Sequence, residues 1–575
     1  MKRSLVLVCG VGLFAFGMTW LVSSGFRYRP APSEQEDESG SAWFHDVTDD
    51  LGIGFTHDPG PTDQYFLPQM TGSGVAVFDY DRDGRLDLFF AQMGGKPCRL
   101  YRQLPDGRFQ DASPGSGLDL VGTNTGVAVG DVNNDGWPDV AVSQFGGLRL
   151  FLNEKGTFRD VTPTSGLGNP NWGMSMAFFD YDRDGWLDLV VVNYLDFDPS
   201  RTCTADGKRE YCGAEAFPGT VTRLFHNLGP QPNGGVTFED VTVKAGLARG
   251  PGPGMGLACA DFDGDGWPDI FVANDGQPNR MWVNRRDGTF ADAAAARGTA
   301  FNFMGSAQAG RGVACGDVNG DGLMDLFVTH SNGETHALWK QKPRGLFHDA
   351  APAAGLTHPR RQGTGFGAVV ADFDNDGAPD IAVVNGHIAR AAPTPDPALG
   401  PHWGWYADRN QVFANDGRGR FKDVSDRNPD FCDRPNVGRG LARGDLSNRG
   451  AVDLVVTTAG GRARVYRNVA PGQGHWLTVR ALLPDPAHPA ESARARDAHG
   501  AEVTVVAGEF RWVRLTNPAD SYLSSSDPKA HFGVGASEQV DAIEVLWPDG
   551  TRETFPGGAA DRFVTLRKGA GTTRQ

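Results

Sequence analysis

Cysteine is scarce in this chain, with 7 in 575 residues and no Cys-x-x-Cys spacing. That scarcity removes paired-thiol zinc sites and dithiol redox motifs. Positive charge is also short: 54 Lys and Arg face 70 Asp and Glu, for a net charge of −16. Such a balance excludes broad affinity for nucleic acid or anionic membrane. Hydrophobic residues reach only 39%. No nucleophile motif, zinc-ligand spacing or phosphate-cradling glycine loop is present.

Glycine and proline are plentiful, at 78 and 37 residues. They imply many short elements joined by turns, hence an all-β protein. The organising motif is Asp261-Phe262-Asp263-Gly264-Asp265-Gly266-Trp267-Pro268-Asp269. Carboxylates stand at positions 1, 3, 5 and 9, and a glycine at 6 permits the turn that brings them together. Carboxylates so close repel unless a cation joins them. A hard cation with 6–8 oxygen ligands fits, and Ca²⁺ fits better than Mg²⁺, which keeps its waters.

The pattern recurs at Asp79, Asp81, Asp83 and Asp87, and at Asp180, Asp182, Asp184 and Asp188. It returns at Asp372, Asp374, Asp376 and Asp380. Two further loops carry asparagine at position 3: Asp131, Asn133, Asp135 and Asp139, then Asp317, Asn319, Asp321 and Asp325. About six Ca²⁺ sites, mainly structural, are therefore expected, and their charge would offset most of the −16. A seventh copy at Asp445 has Ser447 at position 3 and Arg449 at position 5, so it is expected to bind no metal, with Arg449 pairing Asp445 or Asp453. Helix-flanked calcium hands are excluded, because position 12 is usually apolar and strand-like segments flank each loop.

The copies repeat at about 50 residues with two longer intervals. A small, glycine-rich apolar segment precedes each loop, two strands follow, and a Phe-x-Asp signature closes the unit at Phe109, Phe158, Phe238, Phe290, Phe347 and Phe421. Four strands repeated seven times predict a seven-bladed β-propeller. One more signature, Phe44 to Thr48, precedes the first loop, and the seventh unit ends at Arg464–Asn468 without one. The N-terminal strand is thus expected to close the last blade and remove the open edges.

These loops resemble the FG-GAP (VCBS-type) repeats of integrin α-type propellers. The whole chain, from about 41 to 566, resembles the secreted cartilage-acidic-protein family, on text such as Asn193 to Asp198, Tyr211-Cys212-Gly213 and Asn274 to Asn279. Residues 475–566 resemble the ASPIC/UnbV domain, through Gly500 to Val505, Tyr522 to Asp527, His531-Phe532-Gly533 and Val545 to Gly550. The resemblance implies metal ligands at positions 1, 3, 5 and 9, plus the backbone carbonyl of position 7: Arg85, Trp137, Trp186, Trp267, Leu323 and Ala378. It carries over no catalytic activity. The expected domains are an export segment 1–25, a polar linker 26–40, the propeller 41–470, the ASPIC/UnbV domain 471–568 as a small β unit, and a tail 569–575.

Lys2 and Arg3 ahead of the apolar run Leu5 to Val22 read as an export signal or a retained signal anchor. The folded part is therefore expected outside the cytoplasm, as a periplasmic, secreted or cell-surface protein, with Cys203 and Cys212 as the disulfide candidate. Strand direction puts the two long insertions, Asn193–Thr220 and Asn385–Arg409, on the face opposite the acidic loops. Loops on a rigid scaffold are the usual seat of binding, so Tyr194, Asp196, His387, Trp403 and Trp405 are the ligand-face candidates, against the alternative that these rings pack the insertions onto the disc. The expected function is a monomeric, non-catalytic binding or adhesion module for an extracellular protein or glycan, with membrane contact only through a retained anchor. The alternative is a polysaccharide lyase or hydrolase on that same face, for which His330, Glu334, His336, His387 and Asp275 are the available groups.

Overall fold

The computed structural model describes residues 40–573, apart from 233, 358–361, 395, 473 and 486–487. The export segment 1–25 lies outside the described residues, as does the linker up to its last residue.

Seven four-stranded antiparallel sheets account for residues 44–468. Their first strands are Val75–Phe78, Asn124–Gly130, Gly173–Phe179, Gly254–Ala260, Val313–Gly316, Gly365–Ala371 and Gly438–Gly444. Each neighbours the next, and the last returns to the first, so the sheets form a closed propeller ring. Apolar side chains from facing sheets fill the wedges between blades, for example Phe178, Leu189, Val132 and Leu150. The small residues of the first strands are required by the crowding there. A Cβ on Gly312 would lie 1.9 Å from the Phe366 carbonyl oxygen of the next blade.

The Phe-x-Asp signature has two separate tasks. Its phenylalanine is buried in each fourth strand, as in Phe158–Asp160 and Phe290–Asp292. Its aspartate accepts the backbone N–H two residues on, at 2.9 Å for Asp160 with Thr162 and 3.0 Å for Asp423 with Ser425. This is the local turn that short polar side chains favour.

Ring closure uses the N-terminal strand, as the sequence implies. Phe44–Asp46 pairs antiparallel with Arg464–Asn468, in the register Phe44↔Asn468 and Asp46↔Tyr466. Phe44 is fully buried, with Phe373 at 5.0 Å and Phe431 at 5.6 Å between ring centroids. Asp46 pairs with Arg464 at 2.9 Å and Arg434 at 2.6 Å.

The C-terminal region packs two sheets face to face. One holds His475–Leu483 between Ala530–Gly535 and the parallel strand Arg562–Arg567; the other runs Phe510–Leu515, Glu502–Ala507, Gln539–Leu546, Arg552–Ala559. Val503, Phe532, Ile543 and Trp547 lie in the core between them. This unit sits on the acidic-loop face of the ring: His531 Nε2 is 2.8 Å from Asn375 Oδ1, and Arg496 Nη2 donates to the Gly185 carbonyl at 3.1 Å.

From that unit, Ser521 to Asp527 runs into the axis of the ring. Ser525 N–H donates to Val75 O and Val77 N–H to Ser525 O, both at 2.9 Å, while Val127 N–H donates to Leu523 O at 2.9 Å. Val313 N–H donates to Ser521 O at 2.9 Å, and Asp527 N–H to Arg443 O at 3.1 Å. The serine-rich turn is therefore a plug. Inner strands whose backbone groups would otherwise face an empty channel find partners on it. Gly74 is the point of closest approach, since a Cβ there would meet Leu523 O at 1.7 Å.

Replacing Phe44 with Ala should lower unfolding free energy by about 3–5 kcal/mol, through the void left against Phe373 and Phe431. Denaturant titration of the full chain measures this, and an unchanged midpoint would show that Phe44–Asp46 does not hold the ring closed.

Candidate metal centres and the opposite face

Each acidic loop joins the first and second strands of a blade. The position-1 carboxylate accepts the N–H of the position-6 glycine, at 3.0 Å in Asp79–Gly84 and 2.8 Å in Asp261–Gly266. The position-5 carboxylate accepts the N–H of position 7, at 2.9 Å in Asp184–Trp186 and 2.7 Å in Asp376–Ala378. Position 9 differs from the others. Asp188 Oδ2 takes the Tyr181 N–H at 3.1 Å, and Oδ1 takes the Asn227 N–H at 2.8 Å from the end of the third strand. Asp87, Asp139, Asp269, Asp325 and Asp380 do the same. These carboxylates are the innermost, all buried. Burial, reinforced by the neighbouring carboxylates, pushes Asp87, Asp188 and Asp269 up to about 8.

Four loops bring three carboxylate oxygens within 4.8 Å of one another: Asp79, Asp81 and Asp87; Asp180, Asp182 and Asp184; Asp261, Asp263 and Asp265; Asp372, Asp374 and Asp380. In the loops at Asp131 and Asp317 the asparagine amide turns inward instead, donating to Asp135 and Asp321 at 3.0 Å. Asp180 Oδ1 and Asp372 Oδ1 are buried acceptors with no donor among the described residues. All-oxygen donor sets with such orphaned acceptors fit a hard divalent cation. The loop at Asp445 keeps its backbone frame, with Gly450 N–H on Asp445 Oδ2 at 2.6 Å, and Arg449 lies 3.7 Å from Asp453. A guanidinium, donating to the Asn468 carbonyl, thus stands beside the position-9 carboxylate of that loop.

Two features of this face escape a reading of the loops alone. His226 Nδ1 lies 3.3 Å from Asp182 and 3.2 Å from Asp188, and it comes from the third strand, far along the chain from the loop it joins. Its only signal was a polar residue inside a strand. At or near the end of each third strand stands an Asn or Gln, and in six of the seven its side-chain amide bridges blades. Asn153 donates to Tyr80 O at 2.9 Å, Asn227 to Val132 O at 2.9 Å and Asn284 to Tyr181 O at 2.9 Å. Asn415 donates to Val318 O, Asn468 to Phe373 O and Gln103 to Leu446 O. Gln341 stays within its own blade, on Met324 O at 2.6 Å. The repeated Asn at this place in the period was the available signal.

On the other face, the two insertions meet over the axis. Tyr406 Oη donates to Glu210 at 2.6 Å, and Tyr211 Oη lies 3.1 Å from His402 Nε2. Cys203 and Cys212 are disulfide-bonded; Cys98 and Cys259 are free and buried, Cys315 is free and half-buried, and Cys432 is buried. The ligand-face candidates do not form one surface. Tyr194 is buried and donates to Asp275 at 2.6 Å, Asp196 is exposed, and His387 stands 3.6 Å from Asp408. Trp403 is 6% exposed and packs on Gly460, so its ring braces the insertion, while Trp405 remains 37% exposed. His330 and His336 are buried within a blade, where desolvation holds both in the neutral form.

The family described as ASPIC and UnbV matches residues 491–573, and the FG-GAP-like repeat matches 79–142, 131–191, 261–328 and 317–383. Cartilage acidic protein 1 of Homo sapiens is 25% identical over 535 residues, covering 88% of this chain and 74% of that one. The Xenopus tropicalis protein of that name is 26% identical over 515 residues, covering 85% and 72%. Among solved structures, an Agrocybe aegerita lectin that recognises non-reducing terminal N-acetylglucosamine superposes at TM-score 0.38 and 16% identity, over 67% of this chain and 88% of that one. BBS1N from its complex with ARL6DN superposes at 0.40 and 11%, over 75% and 98%. Both superpositions are loose.

Chelation should lower the melting temperature, because it leaves buried like charges at the blade turns. The metal-free protein should also acquire a pH dependence. Asp87, Asp188 and Asp269 are raised from 3.8 to about 8, so the folded state holds more protons between those values. Stability is then greatest below the lower value and is lost as pH rises through about 8. Metal should abolish the slope. Equal melting temperatures for chelated and Ca²⁺-loaded protein at pH 8 would contradict this account.

Proposed function

We propose that this chain, which carries FG-GAP-like repeats and a C-terminal ASPIC and UnbV domain, is an exported, calcium-braced, non-catalytic binding module for an extracellular protein or glycan. One observation carries the reading. The C-terminal unit lies across the acidic-loop face and its serine strand plugs the axis, which leaves the insertion face as the open end of the ring. That face holds a rigid base, a disulfide-bonded hairpin and the exposed ring of Trp405.

Calcium is favoured by the all-oxygen ligand sets and by the glycine turns that gather them. Export is supported by the Cys203–Cys212 bridge, since such bonds persist in oxidising compartments. No helix of the described residues is long and apolar enough to cross a membrane. We place the propeller at 41–470 and the ASPIC/UnbV domain at 471–568, and expect a monomer.

The binding reading is supported over polysaccharide cleavage by the state of the phenols on this face. Burial pushes Tyr194, Tyr211 and Tyr406 upward, which leaves them neutral donors and unsuited to act as bases.

A glycan and protein array probed with and without chelator should give calcium-dependent binding. Trp405→Ala should weaken that binding with the fold intact, whereas Trp403→Ala should lower stability by about 3–5 kcal/mol. Release of unsaturated or reducing sugar ends from the panel would overturn the non-catalytic assignment.

A further inference from the structure

At the centre of the open face lies a cavity of about 580 Å³. Its lining mixes apolar groups, Met70, Met255 and Ile388 among them beside the Cys203–Cys212 bridge, with the carboxylates of Glu210 and Glu215. Its floor is different. Tyr194, Asp275, Arg311 and Phe366 converge there from four separate blades. A volume of this size, mostly apolar with a few fixed polar groups, has the form of a small-molecule site.

The floor holds an unsatisfied donor. Arg311 is 1% exposed, with Nη1 donating to Ala309 O at 2.9 Å and Nη2 lying 3.4 Å from Asp275 Oδ1. Asp275 Oδ2 is taken by the Tyr194 hydroxyl at 2.6 Å. The Arg311 Nε–H is buried and has no acceptor among the described residues. Behind Phe366 stands a second, fully buried guanidinium. Arg439 lies 3.8 Å over the Phe366 ring, whose other contact of this kind is Arg311 at 5.2 Å. Its donors go to the carbonyls of Met70, Gly386, Gly438 and His387. Burial pulls its pKa down to about 9, which leaves it charged at neutral pH. Asp275 is the carboxylate that faces Arg311, while Glu210 and Glu215 also line the cavity and Glu210 is held by Tyr406 and Arg390. A buried guanidinium donor left without a partner is costly, and an acceptor on a ligand is its complement.

We propose that this cavity binds a small organic carboxylate, its anionic head on the Arg311 Nε–H and its apolar body against Met70, Met255 and Ile388. One orphaned guanidinium donor suits a single carboxylate head. A phosphate dianion would stand more heavily charged among Asp275, Glu210 and Glu215 and leave the apolar part of the lining uncovered. The inference rests on the insertion face being the open binding face, and it adds the class of ligand held at its centre.

Calorimetric titration of the full-length, Ca²⁺-loaded protein with octanoate, phenylacetate, octanamide, galacturonate and inorganic phosphate tests it. Octanoate or phenylacetate should bind, and the neutral amide should bind about tenfold more weakly or worse, as befits a lost charge-assisted hydrogen bond. Arg311→Gln should produce a loss of about the same size. Because Arg311 is buried and its variant could unfold, Ile388→Trp at the exposed rim serves as the second variant. It should abolish binding while leaving the melting temperature and its calcium shift unchanged. Failure of both apolar acids to bind, equal binding of the amide, tighter binding of galacturonate or phosphate, or indifference to Ile388→Trp would each overturn the proposal. If no acid binds while array ligands still bind in a Trp405-dependent way, this inference falls and the reading of the face stands. If neither class binds, both fall.

Discussion

The position-9 aspartate of each acidic loop is the constraint on which the rest depends. Its two oxygens tie the start of the loop to the end of the third strand, as Asp269 does with Phe262 and Asn284. One buried carboxylate therefore fixes three of the four strands of a blade relative to each other. The same residue that receives its hydrogen bond then reaches sideways, since the Asn284 amide donates to Tyr181 O of the preceding blade. Blade geometry and blade-to-blade registry thus share one atom path. A carboxylate placed this deep is held at the expense of its solvation, and the remaining carboxylates of the loop could hold a cation that would make the arrangement tolerable.

The two faces of the ring have been given different work. On the acidic-loop face, cations of the C-terminal unit approach the first aspartates: Arg496 is 3.9 Å from Asp180, and Arg514 is 3.9 Å from Asp372. These guanidinium groups draw on the same negative charge that a bound cation would use, so the tail itself offsets part of the carboxylate repulsion at the two loops. Threading Ser521 to Asp527 down the axis also satisfies inner-strand backbone that a channel would leave bare. Tyr522 at the tip packs against Phe366 at 5.1 Å, so the tail domain supports the floor of the opposite cavity.

Much of this was legible in the sequence because it repeats. The acidic spacing, the Phe-x-Asp signature and the stray copy at Phe44 each recur at a fixed place, and recurrence exposes the strand order and its closure. The plug was not legible. Tyr522 to Ser526 carries no period, and its partners are hundreds of residues away in several blades, so a serine-rich turn was all that local chemistry offered. The cavity was hidden for the same reason, as Tyr194, Asp275, Arg311 and Phe366 belong to different repeats. Aromatic content drew attention to Trp403, but the ring turns inward to brace the insertion, which composition cannot distinguish from display.

The seventh loop keeps the position-9 tie without the acidic cluster. It has lost the carboxylates of positions 3 and 5, yet Asp453 still takes the Leu446 N–H at 3.2 Å and the Asn468 N–H at 2.8 Å. The structural tie therefore does not require the ion, and Arg449 supplies the countercharge. This is also the blade completed by the N-terminal strand. The ring is thus closed where the hairpin needs no metal. Its sheet is made from the two ends of the propeller segment, and the Gln103 amide carries the inter-blade bond onward to Leu446 O across the seam. A closure that depended on an ion would open whenever the ion left. A side-chain cation fixed by the chain itself keeps this blade's hairpin tied without one.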